Sequence, residues 1–294
     1  MTLEGDNAAV PLVELTESYR FDSELAELLT RFQYHKDGIE LTAAEPRPLP
    51  SSAYTAPTAG IEAVLGSSSS LVFVCYEDRE NQMVNPIEVS LSEALGNAIH
   101  RSGARPDGGL GKSPAEESTA ARIPDPGVTD TWTDGSHQAS PSFGVVTPHN
   151  AQRGALETRF GGDITANTVE KYQGGERDVI AVSATVSDPE FARREEQFIL
   201  NPNRLLVAIS RSRLLTVVVC STALFEVAPK ESDDVENGPV WARLFTQAVG
   251  RNPNPIWDGD IDEFIDTCLT IDGTIPVRVY PCTSSTSGDE SINY

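Results

Sequence analysis

Three short runs of apolar residues constrain the fold of this chain more than any other feature of its sequence. They are Leu71-Val-Phe-Val-Cys-Tyr76, Val179-Ile-Ala-Val-Ser-Ala-Thr-Val186 and Leu214-Leu-Thr-Val-Val-Val-Cys220. Their apolar residues are continuous rather than alternating, which is typical of strands that are buried on both faces. Helical patterns separate the runs, so the sequence predicts an α/β fold with a parallel sheet that helices cover on both sides.

Polar and charged segments lead into two of these strands. Residues 168–178 precede the strand at 179, and residues 203–213 precede the strand at 214. Each segment places its charged groups at the mouth of a buried strand, and open α/β sheets bind ligands at such mouths. We therefore expect the functional groups of this chain to lie within residues 168–221.

Residues that favour helix ends mark two helices. Asp22 or Ser23 is expected to cap a helix that has an apolar stripe and that Gly38 ends. Thr147 is expected to cap a second helix that begins at Pro148, because proline is favoured at the first helical position. A strand that delivers a capped helix N-terminus makes a local anion site, although many α/β proteins have such a junction.

A third helix is predicted immediately before the strand at 214. Asn201 and Pro202 form an N-cap and first-turn pair, so residues 202–212 should be helical. On that helix Arg204 and Arg211 are seven residues apart and share one face.

Two segments lack apolar periodicity. Residues 46–70 are rich in Pro, Ser, Ala and Thr and are predicted to form a loop. Residues 101–142 are dominated by small and polar residues, and a segment of that length within one domain predicts a disordered insertion. Within it Gly108-Gly-Leu-Gly-Lys-Ser113 imitates a phosphate-binding loop. However, Pro106 stands where that pattern needs glycine, and no apolar strand precedes it.

The charge of the chain is strongly negative but unevenly distributed. The formal net charge is −22, whereas residues 153–213 contain equal numbers of basic and acidic residues. Lysine accounts for only four of the 22 basic residues. An acidic, lysine-poor surface keeps a protein solvated in high salt, so we interpret the excess charge as a halophile's adaptation. The neutral segment is then the functional one.

Cysteine and histidine usage argues against some kinds of site. The four cysteines (Cys75, Cys220, Cys268 and Cys282) are scattered, as are the four histidines, so we predict neither a disulfide framework nor a metal site. No apolar run reaches the ~20 residues that span a bilayer, and the acidic N-terminus is unlike a signal peptide. The sequence therefore predicts a soluble cytoplasmic protein that does not bind a membrane.

Four motifs follow one another along the chain. They are residues 17–26 (Glu-Ser-Tyr-Arg-Phe-Asp-Ser-Glu-Leu-Ala), 144–152 (Gly-Val-Val-Thr-Pro-His-Asn-Ala-Gln), 168–180 (Thr-Val-Glu-Lys-Tyr-Gln-Gly-Gly-Glu-Arg-Asp-Val-Ile) and 203–213 (Asn-Arg-Leu-Leu-Val-Ala-Ile-Ser-Arg-Ser-Arg). The last three resemble motifs IV, V and VI of superfamily 1 helicases, in the branch that includes the nonsense-mediated-decay and nuclease-linked helicases. The first is similar to the segment that joins their two motor domains. The resemblance covers residues 13–228 except 101–142, and implies the second RecA-like domain of such a helicase.

This resemblance implies roles in ATP hydrolysis. Arg211 and Arg20 would be arginine fingers on the γ-phosphate, and Glu176 would hydrogen-bond the ribose. Gln173 and Gly174 would couple the nucleotide to the nucleic acid. Arg204 and Arg213 would support the residues that bind the nucleotide. Phosphoryl transfer is catalysed mainly by positioning and by neutralising charge, for which a planar, permanently charged guanidinium is well suited. On the residues alone, Arg204 and Arg213 could equally pair with neighbouring acids, and the glycines after Gln173 could form an ordinary turn.

The resemblance also implies contacts to a single strand of DNA or RNA. Thr147, Gln152 and Thr168 match residues that contact the nucleic-acid backbone, which fixes register without reading sequence. On the residues alone, Thr147 is the expected cap of the helix that begins at Pro148.

The rest of the ATP site is not recognisable in these residues. In the family a first RecA-like domain supplies the Walker A lysine and the Walker B acids that bind Mg²⁺. We therefore expect this chain to need such a domain, on another chain or lost by truncation, and to hydrolyse essentially no ATP alone. The expected division is an inter-domain segment with the first helix (1–45), a RecA-like domain (46–228) and an acidic C-terminal extension (229–294). The alternative is a non-catalytic module, derived from a helicase domain, that binds nucleic acid or a partner protein.

Overall fold

The computed structural model describes residues 17–18, 20–43, 47–102, 141–161, 164–172, 175–228, 239–266 and 274–283, with the backbone alone for 100–102. Of the predicted insertion at 101–142, only the first two and the last two residues fall within these ranges, and the first two continue a helix. Gln173 and Gly174 lie outside the described residues.

Nine strands occur in the described residues. They are β1 (Glu17–Ser18), β2 (Thr42–Ala43), β3 (Leu71–Tyr76), β4 (Phe143–Thr147), β5 (Thr165–Thr168), β6 (Arg177–Ser183), β7 (Ser212–Ser221), β8 (Trp257–Asp260) and β9 (Pro276–Pro281). β1 and β2 form a separate parallel pair, and the other seven form one sheet in the order β5-β4-β6-β7-β3-β9-β8. The strands from β5 to β3 are mutually parallel, which confirms the predicted α/β class.

Helices cover both faces of this sheet. They are α1 (Ser23–Phe32), α2 (Ala59–Leu65), α3 (Pro86–Ser102), α4 (Asn150–Phe160), α5 (Pro189–Arg194), α6 (Glu196–Ile199), α7 (Pro202–Ile209), α8 (Val240–Val249) and α9 (Ile261–Ile265). α2, α3, α4 and α9 contribute to the core on one face, and α1 with α5 to α8 contribute to the core on the other. Alternate residues of β3 enter the two cores, and all six are buried, which explains why the run is apolar throughout.

Two of the predicted helix starts are confirmed by their capping hydrogen bonds. A carboxylate oxygen of Asp22 accepts from the backbone N–H of Leu25 at 3.1 Å at the start of α1. The side-chain oxygen of Asn201 accepts from the backbone N–H groups of Asn203 and Arg204 at the start of α7. Local residue preferences therefore determine where these helices begin.

The predicted cap at Thr147 is wrong. Thr147 remains in the ladder of β4, opposite Thr168 of β5, so the chain is still extended at this point. The residue at the N-cap of α4 is His149, whose side chain makes no capping hydrogen bond. Strand pairing has displaced the helix start by two residues.

The third predicted helix also ends earlier than expected. α7 stops at Ile209 because Ser212 already pairs with Arg177 where β6 and β7 begin. Arg211 therefore lies in the turn between α7 and β7, so Arg204 and Arg211 do not share a helical face.

The prediction of a loop over 46–70 is wrong for α2. The hydroxyl oxygen of Thr58 accepts from the backbone N–H of Ile61 at 3.2 Å, and Ile61, Val64 and Leu65 are fully buried. Capping and tertiary burial outweigh the loop-like composition of this segment.

Two strands from the C-terminal region extend the sheet. β9 pairs antiparallel with β3, and β8 pairs antiparallel with β9. The predicted C-terminal extension, for which the sequence indicated no position in the fold, therefore adds two strands to one side of the sheet.

Candidate functional site

The two edges of the parallel part of the sheet carry different groups of predicted site residues. We call the edge where β3 to β7 begin the amino edge and the edge where they end the carboxyl edge. The charged segments lie at the amino edge because they precede β6 and β7. Ligands of open α/β sheets usually bind outside the carboxyl ends, where Thr147 and Thr168 lie. The charged segments therefore lie at the edge opposite to the one where ligands of such sheets usually bind.

Three separate segments bring charged groups together at the amino edge. Arg20 precedes α1, Glu176 precedes β6, and Arg213 is the second residue of β7. The Nε of Arg20 donates to Oε1 of Glu176 at 2.6 Å, and the Nε of Arg213 donates to Oε2 at 3.2 Å. Each oxygen of this carboxylate therefore holds one guanidinium group.

The ionisation of Glu176 reflects these two partners. Burial alone would raise the pKa of Glu176, but the hydrogen bonds and positive charges of Arg20 and Arg213 outweigh burial and lower that pKa below its ordinary value. Glu176 is consequently a carboxylate at neutral pH.

Arg211 lies beside this cluster in the turn after α7. It is 8% exposed, and its Nε donates to the backbone carbonyl of Val207 at 3.1 Å, at the end of a helix where a cation is favoured. Burial lowers the pKa of Arg211, the charge of Arg20 lowers it further, and Glu176 opposes both effects. In the part of the chain that the structure describes, Arg211 forms no ion pair. A guanidinium that lies beside another arginine and forms no ion pair within the described ranges fits an anionic ligand.

Arg204 does not join the amino-edge cluster. It lies in the first turn of α7, near the carboxyl edge, whereas Arg211 follows the opposite end of the helix. Its Nη1 is 2.6 Å from Oε1 of Glu170, and its Cζ is 3.9 Å from the centroid of the Phe198 ring. Arg204 and Arg213 both pair with acids, as the residues alone allowed, but only Arg213 does so beside Glu176.

The residues predicted to contact nucleic acid lie together at the carboxyl edge. Thr147 and Gln152 are fully buried and Thr168 is nearly so. The hydroxyl groups of Thr147 and Thr185 share a hydrogen bond at 2.8 Å, and the Nε2 of Gln152 donates to Ser183 at 3.1 Å. In this arrangement their side chains stabilise the strand ends, and the contact of these residues with nucleic acid stays a prediction.

A buried carboxylate lies beneath these strand ends. Glu88, in the first turn of α3, accepts hydrogen bonds from the hydroxyl of Tyr76 at 2.7 Å, the hydroxyl of Ser183 at 2.5 Å and the backbone N–H of Thr185 at 2.7 Å. Burial raises the pKa of Glu88 to about 7, although the three hydrogen bonds oppose that shift. Sequence reasoning missed Glu88. The available signal was its position three residues before the buried Leu91, on the apolar side of the helix.

Thr185 has an unusual backbone conformation. Its φ is +68°, a left-handed value that a β-branched residue adopts only at a cost. Strain of this kind persists where surrounding contacts hold it, and it is common at ligand sites. Glu88 holds its backbone N–H and Thr147 its hydroxyl. No sequence pattern could have revealed this residue.

Tyr172 connects the two edges. It lies in the turn after β5, where its backbone N–H donates to the carbonyl of Thr168 at 2.9 Å, and it is 3% exposed. A Cβ at Gly144 would overlap the hydroxyl oxygen of Tyr172, so glycine is required at this point of β4. Tyr172 therefore links Thr168 at the carboxyl edge to Gly144 near the start of β4 at the amino edge.

Other kinds of site are not found in the described ranges. They contain no group of three His, Cys, Asp or Glu residues that could hold a metal ion. Cys75, Cys220 and Cys282 are buried free thiols, and Cys268 lies outside these ranges. None of the helices described is both long and apolar enough to cross a membrane.

A comparison with known families matches part of this sheet. A family model described as an AAA domain matches residues 121–223. The match includes β4 to β7 and therefore Thr147, Glu176 and Arg211. The part of the sheet that carries charged groups at one edge and buried hydroxyl groups at the other is thus similar to an AAA domain.

Three curated relatives are all helicases by name. The chain is 34% identical over 93 residues to the probable RNA helicase armi of Drosophila melanogaster, a match that covers 29% of this chain and 8% of that protein. It is 39% identical over 83 residues to the DNA polymerase alpha-associated DNA helicase A of Saccharomyces cerevisiae (26% and 12%) and 36% identical over 72 residues to the putative helicase MOV-10 of Gallus gallus (23% and 7%). The chain therefore contains a helicase-like domain, and it spans about a tenth of the length of these relatives.

Proposed function

We propose that this chain is the second motor domain of an ATP-dependent nucleic-acid helicase, in the nonsense-mediated-decay and nuclease-linked branch of superfamily 1. It would supply arginine fingers to an ATP site that a first RecA-like domain outside these residues completes with its Walker A and Walker B residues and its Mg²⁺. The observation that carries this proposal is the convergence of Arg20, Glu176, Arg211 and Arg213 from three segments at one edge of the sheet.

The donor set of this cluster fits a nucleoside triphosphate. Three guanidinium groups can each donate to phosphate oxygens, and the carboxylate of Glu176 can accept from ribose hydroxyl groups. Arg211 suits the γ-phosphate because it has no acidic partner in the described residues, so no ion pair must be broken before it binds an anion. Its position at the end of α7 limits the freedom it would lose on binding.

Arg20 has a different requirement. It is bound to Glu176 at 2.6 Å, and its side chain is only 35% exposed. To reach a phosphate it would exchange this carboxylate for a phosphate oxygen, which leaves Oε1 of Glu176 free for a ribose hydroxyl. Arg213 would remain on Oε2 and keep Glu176 ionised. Arg20 would therefore bind the phosphate at the same step at which Glu176 binds the ribose.

The carboxyl edge is the proposed contact with a single strand of DNA or RNA. The buried hydroxyl groups and amide of Thr147, Thr168 and Gln152 would hold the strand ends and their backbone groups in place for phosphate contacts. Gln173 and Gly174 would couple the two edges, because they lie between Tyr172 and Glu176 in the chain. The acidic, lysine-poor composition supports the accompanying proposal that the protein works in a salt-rich cytoplasm.

The test is reconstitution of ATP hydrolysis. The purified chain is mixed with a separately produced first RecA-like domain from the same source, recognised by a Gly-x-x-x-x-Gly-Lys-Thr/Ser loop and an Asp-Glu pair. We expect neither component alone to hydrolyse ATP, and the mixture to do so when single-stranded nucleic acid is added. Arg211→Ala should lower the rate by about 10³-fold, the lower end of the range for arginine fingers.

A matched control is Arg159→Ala, because Arg159 is also an arginine paired with a glutamate but lies on α4, away from the cluster. Its activity should equal that of the unaltered chain. ATP hydrolysis by this chain alone that Arg211→Ala does not change would refute the proposal. A mixture that binds nucleic acid but never hydrolyses ATP would favour the alternative, a non-catalytic binding module.

A further inference from the structure

An aromatic and cationic stack lies at the carboxyl edge, in residues to which no role in nucleic-acid binding has been given above. The guanidinium Cζ of Arg204 is 3.9 Å from the centroid of the Phe198 ring, which is close for a cation–π contact. The imidazole of His149 stacks on the same ring, with 5.5 Å between centroids and 29° between planes. All three residues are partly exposed. We call His149, Phe198 and Arg204 the ring stack.

Two cavities meet at the ring stack. An apolar pocket is lined by Phe198, Arg204 and Thr147, among other residues, and thus includes a residue that the motif resemblance places on the nucleic-acid backbone. A wide open cavity of about 560 Å³ is also lined by Phe198 and Arg204. Phe198 and Arg204 of the ring stack therefore form the wall that the apolar pocket and the open cavity share.

The open cavity is close to neutral in an acidic protein, because its arginines are balanced by Glu195, Glu196 and the Glu170 that pairs with Arg204. Arg193, Arg194 and Arg204 line it together with Glu195 and Glu196, whereas the whole chain carries a net charge of −22. An aromatic surface beside arginines is the combination that binds single-stranded nucleic acid without reading its sequence. The rings stack on bases, and the guanidinium groups stack or bind phosphates.

We propose that the ring stack is a base-stacking site for single-stranded nucleic acid, with Arg193 and Arg194 binding the phosphates on either side of the stacked base. The proposal rests on the nucleic-acid contact in the proposed function and adds the place and chemistry of that contact. The proposal also gives Arg204 a role in nucleic-acid binding. A role in ATP binding does not fit Arg204, because it lies away from the amino edge. The strand would cross the carboxyl ends of β4 and β5 and place one base on the outer side of the ring stack, which Phe198 supports from within.

The experiment measures fluorescence anisotropy with two labelled oligomers of equal length at one fixed salt concentration, because phosphate contacts weaken as salt rises. One oligomer is oligo-deoxythymidine, and the other has the same phosphates but abasic sugars. We expect the full chain to bind oligo-deoxythymidine more tightly. Phe198→Leu, which keeps an apolar side chain but removes the ring, should weaken that binding roughly tenfold and leave abasic binding unchanged. Arg204→Lys, which keeps the charge but removes the planar group, should act in the same direction.

Two controls separate stacking from folding and from charge. Phe225→Leu removes a partly buried ring that stacks on Phe245, outside the ring stack, and Arg159→Lys alters an arginine that pairs with Glu93. Both should bind like the unaltered chain, and all variants should melt as one transition. Equal binding of the two oligomers, or no effect of Phe198→Leu on binding, would overturn the stacking site while leaving the proposed function intact. Failure to bind these two oligomers and oligo-uridine of the same length would overturn both.

Discussion

At the amino edge, Glu176 is partly exposed, and each oxygen of its carboxylate binds one arginine. At the carboxyl edge, by contrast, Glu88 is fully buried and accepts hydrogen bonds from two hydroxyl groups and a backbone amide. The two glutamates respond to these settings in opposite ways. Arginine partners lower the pKa of Glu176 despite burial, and burial raises the pKa of Glu88 to about 7. One sheet therefore carries an exchangeable ion pair at one edge and a fixed polar network at the other.

This difference separates two tasks. Charged partners near the surface can be exchanged at low cost, because water and salt compensate for a broken pair. The amino edge is thus suited to a ligand that arrives and leaves with its own charge. A buried network cannot lose one member without leaving a polar group unsatisfied. The carboxyl edge is thus suited to holding a strained residue, Thr185, in a single conformation.

The two ends of α7 give the sharpest way to break this comparison. Arg211→Ala should lower ATP hydrolysis of the reconstituted mixture by about 10³-fold and leave nucleic-acid binding within twofold. Arg204→Ala should weaken nucleic-acid binding and leave ATP hydrolysis unchanged once nucleic acid is saturating. Rate and anisotropy measurements on the same two preparations check both. If either variant lost both activities equally without unfolding, the division between the edges would be wrong.

The connection between the edges is tested by a pair of substitutions. Gly144→Ala should destabilise the chain by about 3 kcal/mol, because its Cβ would overlap the hydroxyl oxygen of Tyr172 in a central strand. Tyr172→Phe should be close to neutral, since that oxygen is buried and has no hydrogen-bond partner among the described residues. In the double variant the phenyl ring should recover most of the loss.

Urea unfolding of the four chains measures the coupling between these positions. A double variant as unstable as the sum of the two single ones would contradict the contact. In that case another neighbour, such as the Arg177 side chain beside Gly144, would have to cause the loss.

The parts of the fold that the sequence predicts are those where one local signal dominates. Strand β3 follows from its unbroken apolar run, and α1 and α7 begin at the caps Asp22 and Asn201 because a short polar side chain satisfies free N–H groups there. The amino-edge cluster is partly predictable in the same way. Glu176 and Arg213 precede or begin strands that lie side by side, so their meeting follows once those strands are recognised.

The rest depends on partners that are distant in the sequence. β8 and β9 are short and partly polar, and they become strands only because β3 offers an unpaired side to β9. Helical periodicity placed Arg211 on α7, but the pairing of Ser212 with Arg177 removed it from the helix. The burial of Thr147 and Gln152 follows from Thr185 and Ser183, which lie more than thirty residues away. Short-range patterns contain no information about such contacts.

The buried glutamate predicts a dependence of stability on pH. Because the pKa of Glu88 is raised to about 7 in the folded chain, its favourable contribution is complete below its unfolded value near 4.5 and is lost as pH rises to about 7. Glu88→Gln cannot ionise, so its stability relative to the unaltered chain should be about 2–3 kcal/mol higher at pH 8 than at pH 5, since one pKa unit corresponds to about 1.4 kcal/mol. Chemical unfolding at the two pH values gives this difference. If the two chains differed in stability by the same amount at pH 5 and at pH 8, the proton affinity of Glu88 would not change on folding.

The smallest expected effect concerns the exposed glutamate and has the opposite sign. The pKa of Glu176 is lowered in the folded chain, so its contribution is present above its unfolded value near 4.5 and is lost as pH falls through the folded value. Glu176→Gln should cost less than about 1 kcal/mol at neutral pH, and high salt should reduce that cost because the pairs with Arg20 and Arg213 are partly exposed. Urea unfolding at low and high salt checks this, with Glu88→Gln as the buried control whose effect salt should leave unchanged. If salt altered the stability cost of both substitutions equally, the ion pairs at the amino edge would be no easier to exchange than the buried hydrogen bonds at the carboxyl edge. If it altered Glu176→Gln alone, Arg20 could leave its carboxylate for a phosphate at the small cost that an arginine finger requires.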